Sequence, residues 1–334
     1  MIIQTLAVII TVLLIFTNGL TDAPNAIATL IGSKVMNFRK ASFISAIFNF
    51  IGIVAMSFVN ISVADCISTM INVQGGLNGI LVLITAMLSV IVFALVAMNF
   101  GLPTSETHGL VAGLTGSAIA VYGITSINVN QWISIGIGLI WSIFGTFIVS
   151  YVVEKVLKRA FKKVEDRAIE RFQVFSMCAM SFMHGAQDGQ KFIGILIIYS
   201  FIVKGLTVPS YIVPTDFAFV IMFVAFVMFV GVSIGGEKIA ENIGNNVTPL
   251  TKKQALSSDI ASSVTLFLAS LNGLPVSTTH VKTMAIIGVG KSDKQKVGKK
   301  AVVGIVKAWV LTFPVCLVIS YILAKICYNI TLSC

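Results

Sequence analysis

Two copies of one eight-residue motif decide the architecture of this chain: Gly101-Leu-Pro-Thr-Ser-Glu-Thr-His108 and Gly273-Leu-Pro-Val-Ser-Thr-Thr-His280. The copies are identical at six of eight positions and lie 172 residues apart. A weaker pair, Asn18-Gly-Leu-Thr-Asp22 and His184-Gly-Ala-Gln-Asp188, repeats at an offset of 166. Because both pairs recur at nearly the same spacing, we interpret the chain as two related halves.

The composition around these motifs is that of a membrane protein. The 334 residues are 57% hydrophobic and 11% charged, with a mean hydropathy of +0.98, whereas soluble domains carry about 25% charged residues. A helix that crosses the hydrocarbon core needs about 20 apolar residues, and long uncharged runs such as Cys66 to Ser105 and Thr107 to Val153 supply them. The chain has room for about ten crossings and for no soluble catalytic domain.

The basic residues are concentrated in short segments, which predicts how the chain is inserted. Of 23 Lys and Arg residues, 18 lie in segments 34–40, 155–171, 238–253 and 291–300. Basic loops stay on the cytoplasmic side, so we expect a multi-pass protein of the cell membrane with these segments inside and both termini outside. This placement explains the net charge of +10 without a nucleic-acid partner.

This topology predicts two membrane regions, 1–153 and 172–334, joined by a basic cytoplasmic loop, 154–171. Each half makes five crossings, and an odd number inserts the second half upside down relative to the first. Inverted repeats are typical of secondary transporters, whose site lies at the repeat interface near the midplane of the bilayer. The sequence has no P-loop or dinucleotide-binding glycine pattern, which argues against a nucleotide-driven pump.

Interrupted helices are expected at the Asp motifs. Segment Ile2–Ile31 would be about 45 Å long as one helix, and Pro24 favours a break near Asp22. The glycines around Asp188 predict an equivalent break within 172–202. The predicted fold is therefore an all-α polytopic membrane protein, built from two inverted-topology repeats of about five crossings each, with discontinuous helices or hairpins at the midplane.

The two acids in these segments are candidate functional groups. An Asp at the bilayer centre costs about 2.5 to 3.5 kcal/mol on insertion scales, so Asp22 and Asp188 are expected to bind a cation or exchange a proton. Two alternatives stay open. Each acid can serve as a structural helix cap, and Lys191, one turn from Asp188, can simply neutralise its neighbour.

The two Gly-Leu-Pro motifs are expected to begin helices and to bind an anion. In each copy a proline, Pro103 or Pro275, precedes Ser and Thr residues that cap helix N-termini. The N–H groups at such an end have no partner within the helix, and the end carries about half a positive charge. Two such ends together form an anion site. The alternative is a pair of capped membrane helices without a ligand.

These motifs resemble those of the inorganic phosphate transporter (Pit) family. The family signature, approximately Gly-Ala-Asn-Asp-Val-Ala-Asn-Ala, is similar to Gly19-Leu-Thr-Asp22-Ala-Pro-Asn25-Ala26 and, in the second half, to Gly185-Ala-Gln-Asp188-Gly-Gln-Lys191. The Pro-x-Ser-x-Thr-His elements at 103–108 and 275–280 are also similar to the family's. The resemblance covers both halves of the chain.

The resemblance implies a set of site residues and a homodimer. The residues expected to bind phosphate are Asp22, Asn25, Ser105, Thr107, Asp188, Ser277, Thr278 and Thr279. Those expected around the coupling cation are Asp22, Asp188, Thr104, Glu106, Gln190 and Lys191, with Na⁺ held by the two aspartates if the protein is sodium-coupled.

The implied function is a secondary transporter that imports inorganic phosphate by symport with Na⁺ or H⁺, or as a metal-phosphate complex. No cofactor other than the co-transported cation is expected. The family's usual asparagines are replaced by Thr21, Gln187 and Lys191, which leaves the coupling ion open. A sulfate permease of the same family is the alternative; a channel or an intramembrane enzyme is more remote.

Overall fold

The structure, a computed structural model, describes residues 2–209 and 211–333, and it is almost entirely helical. Its helices are α1 (Ile2–Thr21), α2 (Pro24–Gly32), α3 (Phe38–Val59), α4 (Ser62–Ser68), α5 (Leu77–Asn99), α6 (Glu106–Tyr122), α7 (Val129–Ile140), α8 (Thr146–Ala160), α9 (Asp166–Lys204), α10 (Ala218–Ile234), α11 (Glu237–Glu241), α12 (Lys252–Leu271), α13 (Thr278–Ser292) and α14 (Lys299–Ser333). A short π-helical stretch joins α7 to α8.

Within the described ranges, six helical segments are long and apolar enough to cross a membrane. They are Ile2–Gly32, Phe38–Val59, Leu77–Asn99, Val129–Ala160, Pro214–Ile234 and Lys299–Leu332. The other four predicted crossings coincide with α6, α9, α12 and α13, and each of these helices carries a buried charged residue. The all-helical, polytopic architecture is thereby confirmed, while the number of crossings and the boundaries between the two halves stay predictions.

The helix break predicted at Asp22 is confirmed. Helix α1 ends at Thr21 and α2 begins at Pro24, so Asp22 lies in the junction between them. Proline has no N–H to donate to the preceding turn, and its ring interrupts the hydrogen-bond ladder. The junction nevertheless stays compact, because the backbone N–H of Asp22 donates to Asn18 O at 2.9 Å.

The equivalent break predicted at Asp188 is wrong. Helix α9 runs without interruption from Asp166 to Lys204, with Asp188 near its middle. The two glycines of this motif pack instead against α3, Gly185 against the backbone of Asn49 and Gly189 against Ile53. A glycine costs a helix only about 1 kcal/mol, and this segment contains no proline. The two glycines therefore allow α9 to pack closely against α3, and α9 stays continuous.

The two Gly-Leu-Pro motifs have the same local conformation. Gly101 and Gly273 have φ angles of +63° and +64°, a left-handed conformation that favours glycine. Each turn leads to a serine N-cap: Ser105 accepts a hydrogen bond from the backbone of His108, and Ser277 accepts one from His280, both at 3.3 Å. The two predicted helix starts are confirmed. Opposite insertion of the two halves in the bilayer stays a prediction.

Two groups of connecting segments contact one another. In one group Asn72 N donates to Ser126 O at 2.7 Å. In the other, three of the basic segments are joined by ion pairs of Lys158 with Asp293 and of Lys252 with Glu170. Which group faces the cytoplasm stays a prediction, and the terminal residues Met1 and Cys334 lie outside the described residues.

Candidate functional site

The sequence motifs of both halves meet in one buried cluster of acidic and hydroxyl side chains. Asp22, from the α1–α2 junction, and Asp188, from the middle of α9, are each 1% exposed. Thr278, in the first turn of α13, lies between them, with Oγ1 at 3.1 Å from Asp22 Oδ2 and 3.3 Å from Asp188 Oδ2. One hydroxyl thus links the acids of the two halves.

Asp22 is surrounded by neutral polar groups. Thr279 Oγ1 lies 2.6 Å from Asp22 Oδ1 and 2.7 Å from Thr104 O. Asn25 donates to Asp22 and, at 2.9 Å, to Thr279 Oγ1. No described lysine or arginine forms an ion pair with Asp22 within 4 Å, so its direct partners are hydroxyl and amide groups.

Asp188 has a direct positive partner. Lys191 Nζ lies 2.5 Å from Asp188 Oδ1, 2.6 Å from Thr107 Oγ1 and 2.7 Å from Val276 O. His184 Nε2, one turn earlier on α9, lies 3.3 Å from the other oxygen of Asp188. The open question of whether Lys191 neutralises Asp188 is therefore answered by geometry, because the two form a buried ion pair.

Glu106 is the third acid of the cluster. Its side chain is 4% exposed and accepts a hydrogen bond from Thr21 at the end of α1. Its second oxygen, Oε2, accepts no hydrogen bond from a described residue. Glu106 also lines a small cavity together with Asp188 and Lys191. It therefore faces the site, as expected for a residue around the coupling cation.

Two predicted cation-site residues contribute differently from expectation. Thr104 offers its backbone carbonyl, through the bond from Thr279, rather than a side-chain contact. Gln190 is buried on α9, and its amide donates to Asn60 O at 2.7 Å rather than to a carboxylate. The other predicted residues contact the acids or one another, except that the hydroxyls of Ser105 and Ser277 cap α6 and α13.

The N-termini of α6 and α13 point their first turns at this cluster. Ser105 and Ser277 cap them, and Thr107, Thr278 and Thr279 occupy their first turns. The first N–H groups of a helix have no partner within the helix, and together with the helix dipole they favour a negatively charged ligand. Both the anion site at these helix ends and its occupation by phosphate stay predictions.

The cluster is closed in this conformation. The cavity that Asn18, Glu106, Asp188 and Lys191 help to line has a volume of about 10 Å³, which is close to the room that one water molecule needs. A phosphate ion is several times larger than a water molecule. The helices around this cavity must therefore move apart before an anion of this size can enter.

Two of the histidines in the motifs pack rather than coordinate. The rings of His108 and His280 meet edge to face with centroids 4.6 Å apart, and His280 also contacts Trp309. The third, His184, belongs to the acid cluster: with Asp22 and Asp188 it presents ligand atoms that all lie within 4.8 Å of one another.

The site includes residues that the motif analysis missed as partners. Asn18 donates to Asp188 at 3.4 Å, across 170 residues of sequence. It occupies the position that His184 has in the second copy, and this equivalence was the available signal. A second buried ion pair, Lys282 with Asp259, lies beside Thr29 on α2. Asp259 belongs to no motif, and only its charge within an apolar segment marks it.

Comparison with known proteins identifies the family. A model described as "Phosphate transporter family" matches residues 18–320. A protein of Bacillus subtilis, described as "Probable low-affinity inorganic phosphate transporter", is 30% identical over 305 residues, which cover 90% of each chain. One of Rhizobium meliloti with the same description is 32% identical over 325 residues, covering 94% of this chain and 92% of that protein. This chain belongs to the phosphate transporter family, as its motifs predicted.

A solved structure shares the fold. The structure, described as "The sodium-dependent phosphate transporter", matches with a TM-score of 0.88, covering 99% of this chain and 100% of the other at 23% sequence identity. The relatives are transporters, not enzymes. The alternative of an intramembrane enzyme is therefore discarded, and the chain is a polytopic membrane protein of a transporter family.

Proposed function

We propose that this protein imports inorganic phosphate across the cell membrane by symport with a cation. The observation that carries the proposal is the unequal charge of the buried cluster. Three carboxylates, of Asp22, Glu106 and Asp188, lie beside one ammonium group, of Lys191. The N-termini of α6 and α13 meet at the same place.

The charges make co-binding obligatory. Burying an uncompensated charge is costly in a low-dielectric interior, and Lys191 balances only Asp188. A divalent phosphate that approaches the N-termini of α6 and α13 also approaches Asp22 and Glu106. A cation or proton must therefore neutralise these two acids before the anion binds, and coupled binding of this kind is the basis of symport.

Phosphate fits the mixed chemistry of the cluster better than sulfate. Monohydrogen phosphate carries an O–H group that can donate to a carboxylate, and sulfate has no such donor at neutral pH. The amide and hydroxyl donors of α6 and α13 serve the remaining oxygens of either anion. This difference supports phosphate as the substrate, and the description of the relatives agrees with it.

The coupling ion is proposed to be Na⁺ or H⁺. The shared fold with a structure described as a sodium-dependent phosphate transporter supports Na⁺. The unpartnered oxygen of Glu106 offers a place for a proton. We place the basic segments in the cytoplasm and the uncharged connections outside. Because the coupling cation flows down its inward gradient, phosphate that is bound with it moves inward too.

Uptake of radiolabelled phosphate into liposomes containing the purified protein tests the proposal. We expect accumulation when an inward Na⁺ or H⁺ gradient is imposed, and no accumulation after an ionophore collapses that gradient. A chelator distinguishes simple phosphate from a metal-phosphate complex, and excess sulfate tests the anion. Phosphate uptake that ignores every gradient, or that sulfate inhibits as well as unlabelled phosphate does, would overturn the proposal.

A further inference from the structure

The two halves build two matched polar positions, one at each acid. Thr107 Oγ1 donates to Val276 O at 3.1 Å, and Thr279 Oγ1 donates to Thr104 O at 2.7 Å. Thr107 and Thr279 are equivalent at the offset of 172, as are Thr104 and Val276. In each position a threonine hydroxyl and a backbone carbonyl of the opposite motif therefore lie beside one aspartate.

In the first position an oxygen remains available. Asn25, three residues after Asp22, is 0% exposed and donates through Nδ2 to Thr279. Its Oδ1 accepts no hydrogen bond from a described residue. A buried amide oxygen without a partner is costly. The carboxylate of Asp22, the hydroxyl of Thr279 and the carbonyl of Thr104 are oxygens of the kind that bind a small hard cation. The amide of Asn25 presents Nδ2 to Asp22 and Thr279, so its oxygen joins this set when the amide group turns over.

In the second position the chain supplies the positive charge itself. Lys191 is three residues after Asp188, where the first half has Asn25. Its Nζ contacts a carboxylate oxygen of Asp188, the hydroxyl of Thr107 and the carbonyl of Val276, at 2.5, 2.6 and 2.7 Å. These contacts use all three N–H donors of an ammonium group. The oxygen types are those that surround the first position.

We propose that the ammonium group of Lys191 is a tethered cation that permanently fills the second of the two matched positions. The inference rests on the proposed function, since it specifies how many cations accompany phosphate. Lys191 cannot leave with the substrate, so only the position at Asp22 exchanges its cation with solution. Transport by this chain accordingly uses one cation fewer per phosphate than a chain with both positions open.

The variant Lys191→Asn tests this by restoring the residue of the first position. In proteoliposomes with a fixed membrane potential and graded Na⁺, we expect the reversal potential of phosphate flux to report one more positive charge per phosphate than in the original protein. The number of Na⁺ ions on which the rate of phosphate uptake depends is expected to increase by one. An unchanged charge per phosphate and an unchanged Na⁺ dependence would overturn the proposal.

A second measurement does not depend on transport. Na⁺ that binds the folded protein raises its unfolding temperature. We therefore expect NaCl to raise the unfolding temperature of purified Lys191→Asn by more than that of the original protein. Choline chloride, which supplies no Na⁺, is expected to cause no such difference. Lys191→Met removes the charge without adding an oxygen and is the matched control, with a smaller Na⁺ response. An equal Na⁺ response of the two variants, or none in Lys191→Asn, contradicts the proposal.

The two measurements separate the inference from the proposed function. If the original protein shows no gradient-driven phosphate uptake but Lys191→Asn still gains Na⁺ stabilisation, the transport proposal fails and the tethered cation stands. If the original protein couples phosphate to a cation and Lys191→Asn shows the same coupling ratio and the same Na⁺ stabilisation, the tethered cation fails alone.

Discussion

Thr278 Oγ1 lies 3.1 Å from an oxygen of Asp22 and 3.3 Å from an oxygen of Asp188, so a single hydroxyl bridges the acids of the two halves. Neither acid is close to the other in sequence, and Thr278 belongs to a third segment. The bridge holds the carboxylates at the N-terminus of α13. A variant that lacks the Thr278 hydroxyl therefore tests the contribution of this group to phosphate binding while both acids are retained.

Thr278→Val removes this hydroxyl and keeps the branched shape. A hydrogen bond to a charged group is worth about 1.5 to 3 kcal/mol, so we expect the apparent phosphate affinity to fall by roughly 10- to 100-fold. Uptake kinetics in proteoliposomes measure the change. Thr278→Ser retains the hydroxyl and is the control, with an expected change within about 3-fold. Equal uptake kinetics in Thr278→Val and Thr278→Ser would show that the hydroxyl of Thr278 does not contribute to phosphate binding.

Asp22→Asn is expected to abolish gradient-driven uptake. Asp22 forms no ion pair with a described lysine, and the substitution removes the negative charge proposed to attract the coupling cation while it keeps the size of the side chain and one acceptor oxygen. We expect a loss of at least about 100-fold, equivalent to about 2.8 kcal/mol, in the initial rate of phosphate uptake. Asp216→Asn, at an exposed acid near the start of α10, is the control. Uptake in Asp22→Asn that equals uptake in this control excludes Asp22 as the coupling carboxylate.

The second buried ion pair has a structural role that can be measured without transport. Lys282 and Asp259 are both 0% exposed and contact each other. Removing one partner leaves a buried charge alone, so we expect Lys282→Met or Asp259→Asn to lower the free energy of unfolding by about 3 to 5 kcal/mol. Denaturant titration in detergent measures this loss.

The double variant Asp259→Leu/Lys282→Met is the control for this pair. Apolar residues that replace both partners remove the two charges together, and such replacements are often neutral or stabilising. We expect the double variant to recover most of the stability lost in each single variant. Additive losses in the double variant would show that the two charges do not stabilise one another.

The environment of Asp65 predicts that the stability of the protein depends on pH. It lies on α4, outside the membrane-spanning helices, and accepts a hydrogen bond from Ile212 N at 2.9 Å. Partial burial raises the pKa of Asp65 from 3.8 to about 6, and the Ile212 N–H opposes this rise. The folded chain thus keeps a proton that the unfolded chain has already released, so this contribution to stability is complete below about pH 4 and lost as the pH rises through about 6.

Asp65→Asn removes this titration and retains an oxygen acceptor for Ile212. Because Asp65 is only half buried, we expect the variant to exceed the original protein by about 1 kcal/mol in the free energy of unfolding near pH 7.5 and to match it near pH 4. Unfolding at a series of pH values measures the difference between the two proteins. Parallel curves from about pH 4 to 7.5 would contradict the assignment.

Local signals in the sequence predicted the elements that depend on local chemistry. Pro24 predicted the end of α1 because a proline cannot continue the hydrogen-bond ladder. Ser105 and Ser277 predicted the starts of α6 and α13 because a serine at that position caps the first turn. Duplication of the motif also indicated that Asp22 and Asp188 share one site. Each of these inferences needed only a few consecutive residues or a repeat.

Features that depend on packing could not be predicted in this way. The glycines near Asp188 favour a break by composition, yet the contacts of Gly185 and Gly189 with α3 keep α9 continuous. Asp259 pairs with Lys282 and contacts Thr29, which is 230 residues away. The direction in which Glu106 points also depends on Thr21, 85 residues earlier. Such pairings arise from the arrangement of whole helices and leave no local pattern.

The crossed hydrogen bonds Thr107 Oγ1 to Val276 O and Thr279 Oγ1 to Thr104 O tie each Gly-Leu-Pro motif to the other. Because each motif supplies one donor and one acceptor, the two motifs cannot move apart without breaking both bonds. The pair therefore stabilises the closed conformation, and any opening that separates the motifs must replace both interactions.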